Sequence, residues 1–503
     1  MSWHHAKNDT IVHIDNLYTE EIEMKDIVII GAGVIGCAVA RELSRYQADI
    51  CVVESAEDVC TGTSKANSGI VHAGFDALPG TNKAHFNVLG NAMMDEISRD
   101  LDVPFKRNGA LVVCVDPSQR GQLDILLERG RANGVTNLRI LEREELRRLE
   151  PNISEQAVAA LHAPDSGIIC PFKLTIGFAE NACMNGVEFR FDTRVLTLSR
   201  LDNGNYRLKT TQGDIETRYV VNAAGVYAAD IHNQVCQNKL QIVPRRGEYC
   251  LLDKSAGSHV CCTVFPQPTA MGKGILVTPT VHGNLLVGPT AEDVEDKEGT
   301  GTTRDGLEKV LKGAGQNVAN LPLRQIITSF AGLRAQAADH DFIIGEQPDA
   351  PHFIDCAGIA SPGLSAAPAI GRHVASLLRD QMGLTEKTNW IATRQDVRST
   401  VGLSVEAHNA LVQKNPAYGT IVCRCESVTE GEILDAIHRP LGARTIDGIK
   451  RRTRAGMGRC QAGFCTHRVM AILQRELGIP MDEIRKSGGE SRMIQGRIQE
   501  NKD

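Results

Sequence analysis

Four cysteines near the end of the chain stand in two close pairs. "CRC" places one residue between Cys423 and Cys425, and "CQAGFC" places four residues between Cys460 and Cys465. Thiolates in two such pairs can hold a metal ion or an iron–sulfur cluster, although zinc sites more often use pairs separated by two residues. A [2Fe–2S] cluster, a structural zinc ion and a redox switch are therefore all open on spacing alone.

A glycine motif at the other end of the chain indicates a dinucleotide site. In "DIVIIGAGVIGCAVARELSRYQADICVVES", the spacing predicts a buried strand at 27–30, a helix at 34–45 and a second strand at 50–53. Gly31, Gly33 and Gly36 fall at the first turn, and Glu54 ends the second strand. Such glycines let the backbone approach a pyrophosphate at a helix N-terminus, and the acid can hold a ribose hydroxyl.

Two later segments repeat the pattern of a strand that ends at small residues. "YVVNAAGVYA" begins at Tyr219 and places Ala224 and Gly225 after a strand, and "HFIDCAGIASPGLSAAPAIGRHVASLL" reads as strand, loop and helix from His352. Together with the first unit, these segments suit one large cofactor lying across a nucleotide-binding domain. The β-like stretches "RRGEYCLLD" and "GILVTPTVHGNLLVGPT" predict a second, substrate-side layer. We therefore expect an α/β fold with two interleaved subdomains.

Size and composition limit the remaining possibilities. A chain of 503 residues exceeds one compact core, and a net charge of −6 gives no general attraction to nucleic acid or anionic membranes. We find no apolar run long enough to span a membrane. Fifteen cysteines without a secretion signal predict free thiols and a cytoplasmic protein, with membrane association only through partners.

Six sequence blocks support a family resemblance. "VIIGAGVIGCAVARELS", "GTSKANSGIVHAG", "RRGEY", "GILVTPTVHGNLLVGPTA", "SFAGLRA" and "SPGLSAAPAIG" together resemble FAD-dependent glycerol-3-phosphate oxidases and dehydrogenases of the glycine/D-amino-acid oxidase superfamily. The likeness covers roughly residues 25–380 with all blocks in order. It implies FAD in an extended pose with substrate over the flavin ring, rather than a nicotinamide cofactor.

The resemblance implies a base and an anion clamp for the oxidation of a secondary alcohol. The family pattern places His72 of "NSGIVHAG" beside the flavin, where a neutral imidazole suits a general base. A phosphate would be held by fixed cations and hydroxyls. The expected substrate-binding residues are Ser68, Lys273, Arg334, Ser361 and Arg246. For Arg245 and Arg246 the alternative is that one of them only pairs with Glu248.

The same resemblance extends the flavin site beyond the glycine motif. Thr63 and Ser64 are expected along the phosphates or ring and Val195 near adenine. Gly363, Leu364 and Ser365 should approach the isoalloxazine, with the following helix favouring negative charge on the reduced ring.

Three features leave the substrate and the acceptor open. Ala335 follows Arg334 where the family pattern more often has proline, and a dicarboxylate such as L-2-hydroxyglutarate would also meet arginine and lysine. "GFDALPGTNKA" lacks the tyrosine pair associated with hydroxyglutarate enzymes, which favours glycerol 3-phosphate. A dehydrogenase for another hydroxy or amino acid, a peroxide-forming oxidase and a non-catalytic electron-transfer subunit are the alternatives.

The region around the four cysteines resembles a bacterioferritin-associated-ferredoxin-like module that binds a [2Fe–2S] cluster. Such modules are appended to glycerol-3-phosphate dehydrogenase large subunits, so the resemblance implies a dehydrogenase whose electrons leave for a second flavoprotein or a small iron–sulfur partner. Lys450, Arg451, Arg452, Arg454 and Arg459 precede the second cysteine pair and are expected to offset cluster charge or dock an acidic partner.

These blocks divide the chain into five parts. We expect an N-terminal extension at 1–24, the FAD-dependent oxidoreductase at 25–382, a connector at 383–420, a small helical [2Fe–2S] domain at 421–475 and a weakly ordered or partner-contacting tail at 476–503.

Overall fold

A computed structural model describes residues 23–268 and 274–496. The strands, in chain order, are β1 (Glu23–Ile30), β2 (Ile50–Val53), β3 (Ile70–Val71), β4 (Phe105–Arg107), β5 (Ala110–Cys114), β6 (Arg139–Glu142), β7 (Ala159–Ala163), β8 (Gly167–Ile169), β9 (Glu188–Arg190), β10 (Val195–Arg200), β11 (Tyr206–Thr210), β12 (Gly213–Asn222), β13 (Ile242–Leu252), β14 (Thr263–Pro266), β15 (Leu276–Pro279), β16 (Leu285–Gly288), β17 (Glu292–Asp293), β18 (Ile326–Ala337), β19 (Ile343–Gln347), β20 (Ala350–Ala357), β21 (Ile421–Cys423) and β22 (Val428–Thr429).

The α-helices lie between and after these strands. They are α1 (Val34–Leu43), α2 (Asn82–Asp100), α3 (Gly121–Ala132), α4 (Arg143–Leu149), α5 (Pro171–Met184), α6 (Ala228–Val235), α7 (Arg304–Ala314), α8 (Gly363–Met382), α9 (Val405–Lys414), α10 (Glu430–His438), α11 (Ile446–Thr453) and α12 (Thr466–Leu477). The alternation of strand and helix in the first half and the short helices at the end confirm the predicted fold class.

The first sheet carries the nucleotide-binding unit. Its order is β10-β11-β12-β1-β2-β9, with β20 beside β12 and β19 beside β20. β1 runs parallel to both β12 and β2, and helices α1, α5 and α8 pack together on one face of the sheet with their apolar side chains in a common core. β2 is buried along its whole length, because its two faces pack into two separate apolar clusters, as expected of a central parallel strand.

The second sheet forms the predicted substrate-side layer. It runs β17-β13-β16-β15-β14-β5-β7-β6, and β18 pairs with β13 in a long antiparallel ladder. The ladder pairs Arg245 with Arg334, Gly247 with Gly332 and Tyr249 with Phe330. Since side chains alternate across a strand, these pairs share one face, and Arg246 and Glu248 point to the other.

Residues 383–420 pack against the oxidoreductase domain along much of their length. The indole of Trp390 lies under the Arg45 guanidinium, 3.9 Å from its carbon to the ring centre. Arg394 is buried and donates to Glu180 at 2.7 Å and to Asp396 at 2.7 Å. The segment therefore fixes the position of the domain that follows it, which its polar composition did not indicate.

The C-terminal domain has its own apolar core, and the segment after it contributes to that core. α10, α11 and α12 pack around residues such as Ile433, Ile449 and Leu473, and Ile484 is fully buried among them. The backbone nitrogens of Ile446 and Asp447 donate to the oxygens of Arg485 and Lys486 at 3.2 and 2.8 Å. Residues 481–496 are thus part of the domain rather than the loose tail that their polar sequence suggested. No helix in the described parts of the chain is long and apolar enough to cross a membrane.

Candidate functional site

One large cavity, of about 1290 Å³, lies between the two sheets. It exceeds the roughly 300–1,000 Å³ usual for small-molecule sites, as a dinucleotide in an extended pose would require. It brings together these residues predicted from the sequence: Gly31, Gly33, Glu54, Thr63, Ser64, Ser68, His72, Val195, Ala224, Gly225, Arg334, Ser361, Gly363 and Leu364.

The glycine turn has the geometry that a pyrophosphate-binding loop needs. Gly31 has φ +104°, and a Cβ there would lie 2.6 Å from the main-chain oxygen of Ala223. Gly36 lies outside the cavity lining, where a Cβ would lie 2.0 Å from the Gly31 oxygen. Its role is therefore the close packing of α1 against the turn, and only glycine fits either position.

Glu54 and Ser64 hold the start of α1. A Glu54 carboxylate oxygen accepts from the Ala32 nitrogen at 2.7 Å, and the Ser64 hydroxyl accepts from the Val34 nitrogen at 2.9 Å. Burial raises the pKa of Glu54, and the backbone donors Ala32 and Ala56 oppose this effect. These residues form a polar end of the cavity that suits the ribose and phosphates of an ADP group.

The backbone of His72 is held by Ser365 in the first turn of α8. Its backbone nitrogen donates to the Ser365 hydroxyl at 2.8 Å, and its ring lies 5.8 Å from the ring of Phe265. The same hydroxyl donates to the Ile70 oxygen at 3.3 Å. Ser365 is fully buried and lies outside the cavity lining, so its place in the structure is to fasten the His72 loop to α8 rather than to face a flavin.

Arg334 brings a positive charge into the cavity wall. Its guanidinium donates to the main-chain oxygen of Thr290 at 2.6 Å and to those of Arg245 and Arg246 at 3.4 Å. Among the described residues, no carboxylate pairs with it, and burial lowers its pKa. A desolvated cation of this kind is stabilised by an anionic ligand.

Arg245 and Arg246 have different surroundings. Arg245 lines the cavity but is neutralised by Asp293, whose oxygens lie 2.6 and 2.9 Å from its nitrogens. Arg246 points away from the cavity and pairs with Glu292 at 2.8 Å and Glu248 at 3.6 Å. The alternation of β13 explains the difference, and the structure does not bring Arg246 to the site where the sequence placed it.

Ser361 and Lys273 are the remaining residues predicted to bind substrate. Ser361 lines the cavity just before Pro362 and the N-terminus of α8. Lys273 lies outside the described residues.

Tyr249 is a site residue that the sequence reading missed. Its ring stacks on Phe330 at 4.9 Å, and its hydroxyl lies 3.3 Å from that of Ser68. Burial raises its pKa, so the phenol stays protonated and can donate. The period of two from Arg245 in "RRGEY" is the signal that would have found it.

The four cysteines come together as two pairs in the C-terminal domain. Cys423 lies in hydrogen-bond contact with Cys465, and this contact lowers the pKa of Cys423. Cys425 lies in the same kind of contact with Cys460. In a [2Fe–2S] cluster each iron takes two thiolates, so two pairs of two fit the group. In the part of the chain that the structure describes, no three His, Cys, Asp or Glu side chains form a set for a single metal ion.

The basic residues before the second cysteine pair dock the domain on its own chain. Arg451 and Arg452 bond to Asp58. Arg454 bonds to Glu426 and Asn284, and Arg459 bonds to Asp253. The acidic partner of the two buried arginines is thus the oxidoreductase domain itself.

Comparisons with known proteins agree with these two sites. The family model of FAD dependent oxidoreductases matches residues 26–377, and that of the BFD-like [2Fe-2S] binding domain matches residues 421–475. The chain is 50% identical over 474 residues to a glycerol 3-phosphate dehydrogenase of Caloramator mitchellensis, covering 94% of this chain and 98% of that one.

Two more distant relatives cover about three quarters of this chain or less. A dithionite-reduced L-alpha-glycerophosphate oxidase from Mycoplasma pneumoniae with FAD bound has a TM-score of 0.71 and 34% identity, over 74% of this chain and 99% of that one. An L-2-hydroxyglutarate dehydrogenase of Arabidopsis thaliana is 28% identical over 70% of this chain and 83% of that one.

Proposed function

Because the chain belongs to the FAD-dependent oxidoreductases and ends in a BFD-like [2Fe-2S] binding domain, we propose that it oxidises sn-glycerol 3-phosphate to dihydroxyacetone phosphate and passes the electrons to a partner protein. Its cofactors are FAD and a [2Fe–2S] cluster. The observation that carries the substrate assignment is the Arg334 guanidinium, which lies buried in the cavity wall without a carboxylate partner in the described chain.

Different residues of the cavity bind the phosphate and remove the proton of the substrate. Arg334 holds the phosphate, with Ser361 and the Ser68–Tyr249 hydroxyl pair as further donors, and His72 takes the proton of the substrate hydroxyl. FAD, when bound, would supply the acceptor for the hydride of the carbon that bears this hydroxyl. Loss of that proton and that hydride leaves a ketone, which balances the oxidation. Lys273, from outside the described residues, is proposed to add a second cation.

The C-terminal domain supports a dehydrogenase over an oxidase. Cys423, Cys425, Cys460 and Cys465 hold the cluster, which supplies one-electron transfer when bound. Arg451 and Arg452 bond this domain to Asp58 in the loop that follows Glu54, so a buried contact joins the domains that carry the two cofactor sites. We propose a cytoplasmic protein whose acceptor is a second flavoprotein or an iron–sulfur subunit.

Anaerobic titration with glycerol 3-phosphate tests the assignment. Bleaching of the flavin band by glycerol 3-phosphate, with loss of the broad iron–sulfur absorbance, is the expected result. Full bleaching by L-2-hydroxyglutarate instead, with no response to glycerol 3-phosphate, would transfer the assignment to the hydroxy-acid class, for which the Arabidopsis relative is named. Rapid reoxidation by air would indicate an oxidase.

A further inference from the structure

The loops that carry the cysteines expose apolar and basic side chains. We define the cluster face as Ile421, Arg424, Arg459, Phe464 and Arg468. Phe464, next to the ligand Cys465, is 78% exposed, more than any other large apolar side chain in the described chain, and Ile421 is 48% exposed. Burying a phenyl ring in an interface is favourable relative to leaving it in water, so Phe464 is suited to contact a partner.

The five residues form one surface. Arg468 donates from Nη1 to the main-chain oxygen of Ile421 at 3.2 Å, which joins the start of α12 to β21. The contacts of Cys423 with Cys465 and of Cys425 with Cys460 bring the loop of Arg424 to the loop of Phe464. Cys425 is itself exposed, so the edge of the thiolate set reaches solvent within this face.

The charge of the cluster face is positive throughout. Within residues 421–428 and 458–468, every exposed side chain with a fixed charge is an arginine, and His467 is also exposed. The acid in these segments, Glu426, is buried and paired with Lys254 and Arg454. Arg459 bonds to Asp253 yet keeps 70% of its side chain exposed. A basic face on a chain with a net charge of −6 is a local feature, not a consequence of composition.

We propose that the cluster face docks an electron-accepting protein with an acidic surface, and that Phe464 enters an apolar pocket of that partner. This inference rests on the proposed function, since it needs electrons to leave at the cysteines. One electron at a time passes to a one-electron centre of the acceptor, which is reduced, and two such transfers match one substrate oxidised. Arginine and aromatic side chains are the residues enriched at the centres of protein interfaces, and opposite charges speed association.

Two other occupants fit the surface less well. A second copy of the chain in a two-fold contact would bring like charges together. A lipid surface needs a broad apolar face such as that of an amphipathic helix, whereas here Phe464 and Ile421 stand on loops and a short strand among arginines.

Binding to two redox proteins of opposite charge tests the proposal. The holoprotein is passed over immobilised cytochrome b5, which has an acidic surface, and over cytochrome c, which has a basic one. We expect cytochrome b5 to bind preferentially, with an association rate that falls about tenfold or more as salt rises from low to high concentration. Phe464→Ala should weaken binding about fivefold or more, and the double variant Arg424→Glu/Arg468→Glu should reverse the preference.

Controls separate docking from folding and from catalysis. Arg304→Glu, an exposed charge reversal on α7, should leave binding unchanged, and cluster absorbance should be intact in every variant used. Equal binding of both cytochromes, or no response to the double variant, would overturn the proposal. So would sedimentation with phosphatidylserine vesicles that is lost in Phe464→Ala, or self-association lost in the same variant. If glycerol 3-phosphate fails to reduce the flavin while cytochrome b5 still binds, the proposed function fails and the docking surface stands.

Discussion

Asp58 of the oxidoreductase domain accepts two hydrogen bonds from Arg452 of the C-terminal domain, at 2.7 Å to Oδ2 and 2.8 Å to Oδ1. Both side chains are buried, and Arg451 donates to Oδ2 as well, at 2.6 Å. Asp58 lies four residues after Glu54, so this ion pair ties the [2Fe–2S] domain to the loop that closes the nucleotide end of the flavin cavity.

Breaking this pair should be costly. Asp58→Asn leaves the buried Arg452 guanidinium without a carboxylate and leaves Arg451 only the Glu57 oxygen at 3.8 Å. Removing one partner of a buried pair typically costs about 3–5 kcal/mol. We expect earlier thermal loss of the cluster absorbance and easier proteolysis between the domains. Arg459→Met is the matched control, because its exposed bond to Asp253 should contribute no more than about 1 kcal/mol. Equal losses of thermal stability in Asp58→Asn and Arg459→Met would contradict the view that Asp58 holds the two domains together.

The same pair predicts an acid-dependent loss of docking. Burial alone would raise the pKa of Asp58, but the charges and hydrogen bonds of Arg452 and Arg451 outweigh it and lower the pKa below its usual 3.8. A carboxyl with a lowered folded pKa stabilises the fold above its unfolded pKa, and this contribution is lost as pH falls through the folded value. The difference in melting temperature between native protein and Asp58→Asn should be constant from neutral pH to about pH 5 and shrink below about pH 4. A difference that grew on acidification would have the wrong sign.

Arg334 should control substrate affinity. Arg334→Met removes a charge-assisted contact worth about 1.5–3 kcal/mol, which corresponds to roughly a 10- to 150-fold weaker response of the flavin to glycerol 3-phosphate. Arg245→Met should have a smaller effect, because Asp293 already neutralises that guanidinium. The apparent dissociation constants come from the anaerobic titration, and FAD content serves as the control for folding. A larger loss of affinity in Arg245→Met than in Arg334→Met would assign phosphate binding to Arg245 instead.

His72 should affect the rate of flavin reduction more than binding. Replacing a general base typically costs about 10²–10⁴-fold in rate. His72→Asn should show that loss in stopped-flow reduction by substrate, whereas dithionite should reduce its flavin normally. Ser365→Ala removes the hydroxyl that accepts from the His72 backbone. Its rate of flavin reduction by substrate should lie between those of the native protein and His72→Asn. Unchanged reduction in His72→Asn would exclude the base assignment.

Removing a cluster ligand should separate the two halves of the reaction. Cys425→Ser is expected to lose iron and the broad visible absorbance, while glycerol 3-phosphate still bleaches the flavin. Electron delivery to a protein acceptor should then fail. Cys261→Ser, an exposed cysteine outside the four, is the matched control and should retain the cluster. Retention of the cluster in Cys425→Ser would remove this residue from the ligand set.

The sequence allowed prediction where one local segment carries the whole signal. The turn at Gly31 and Gly36 is such a case, because Gly31 has φ +104° and a Cβ at Gly36 would meet the oxygen of Gly31 in the same turn. Arg246 shows the opposite case, since its outward direction depends on the register of β13 with β18.

Burial that depends on contacts between distant parts of the chain could not be predicted from the sequence. Arg394 and Ile484 stand in polar stretches that gave no periodic signal. Both are buried because other parts of the chain pack against them, Glu180 in the first case and the core of the C-terminal domain in the second. Tyr249 is a different case, because the alternation of β13 from Arg245 places it on the cavity face and only its Ser68 partner comes from another part of the chain.

The loop at 486–491 links the two cofactor sites in a further way. Its ends close through Lys486 and Ser491, and Lys486 also bonds to Asp447 of α11 at 2.7 Å, so the loop belongs to the [2Fe–2S] domain. Yet Ser487, Gly488 and Gly489 line the flavin cavity beside Glu57. One loop of the iron–sulfur domain therefore forms part of the wall of the nucleotide cavity. Flavin retention is thus expected to depend on how firmly the iron–sulfur domain is docked, since undocking that domain would remove this part of the wall.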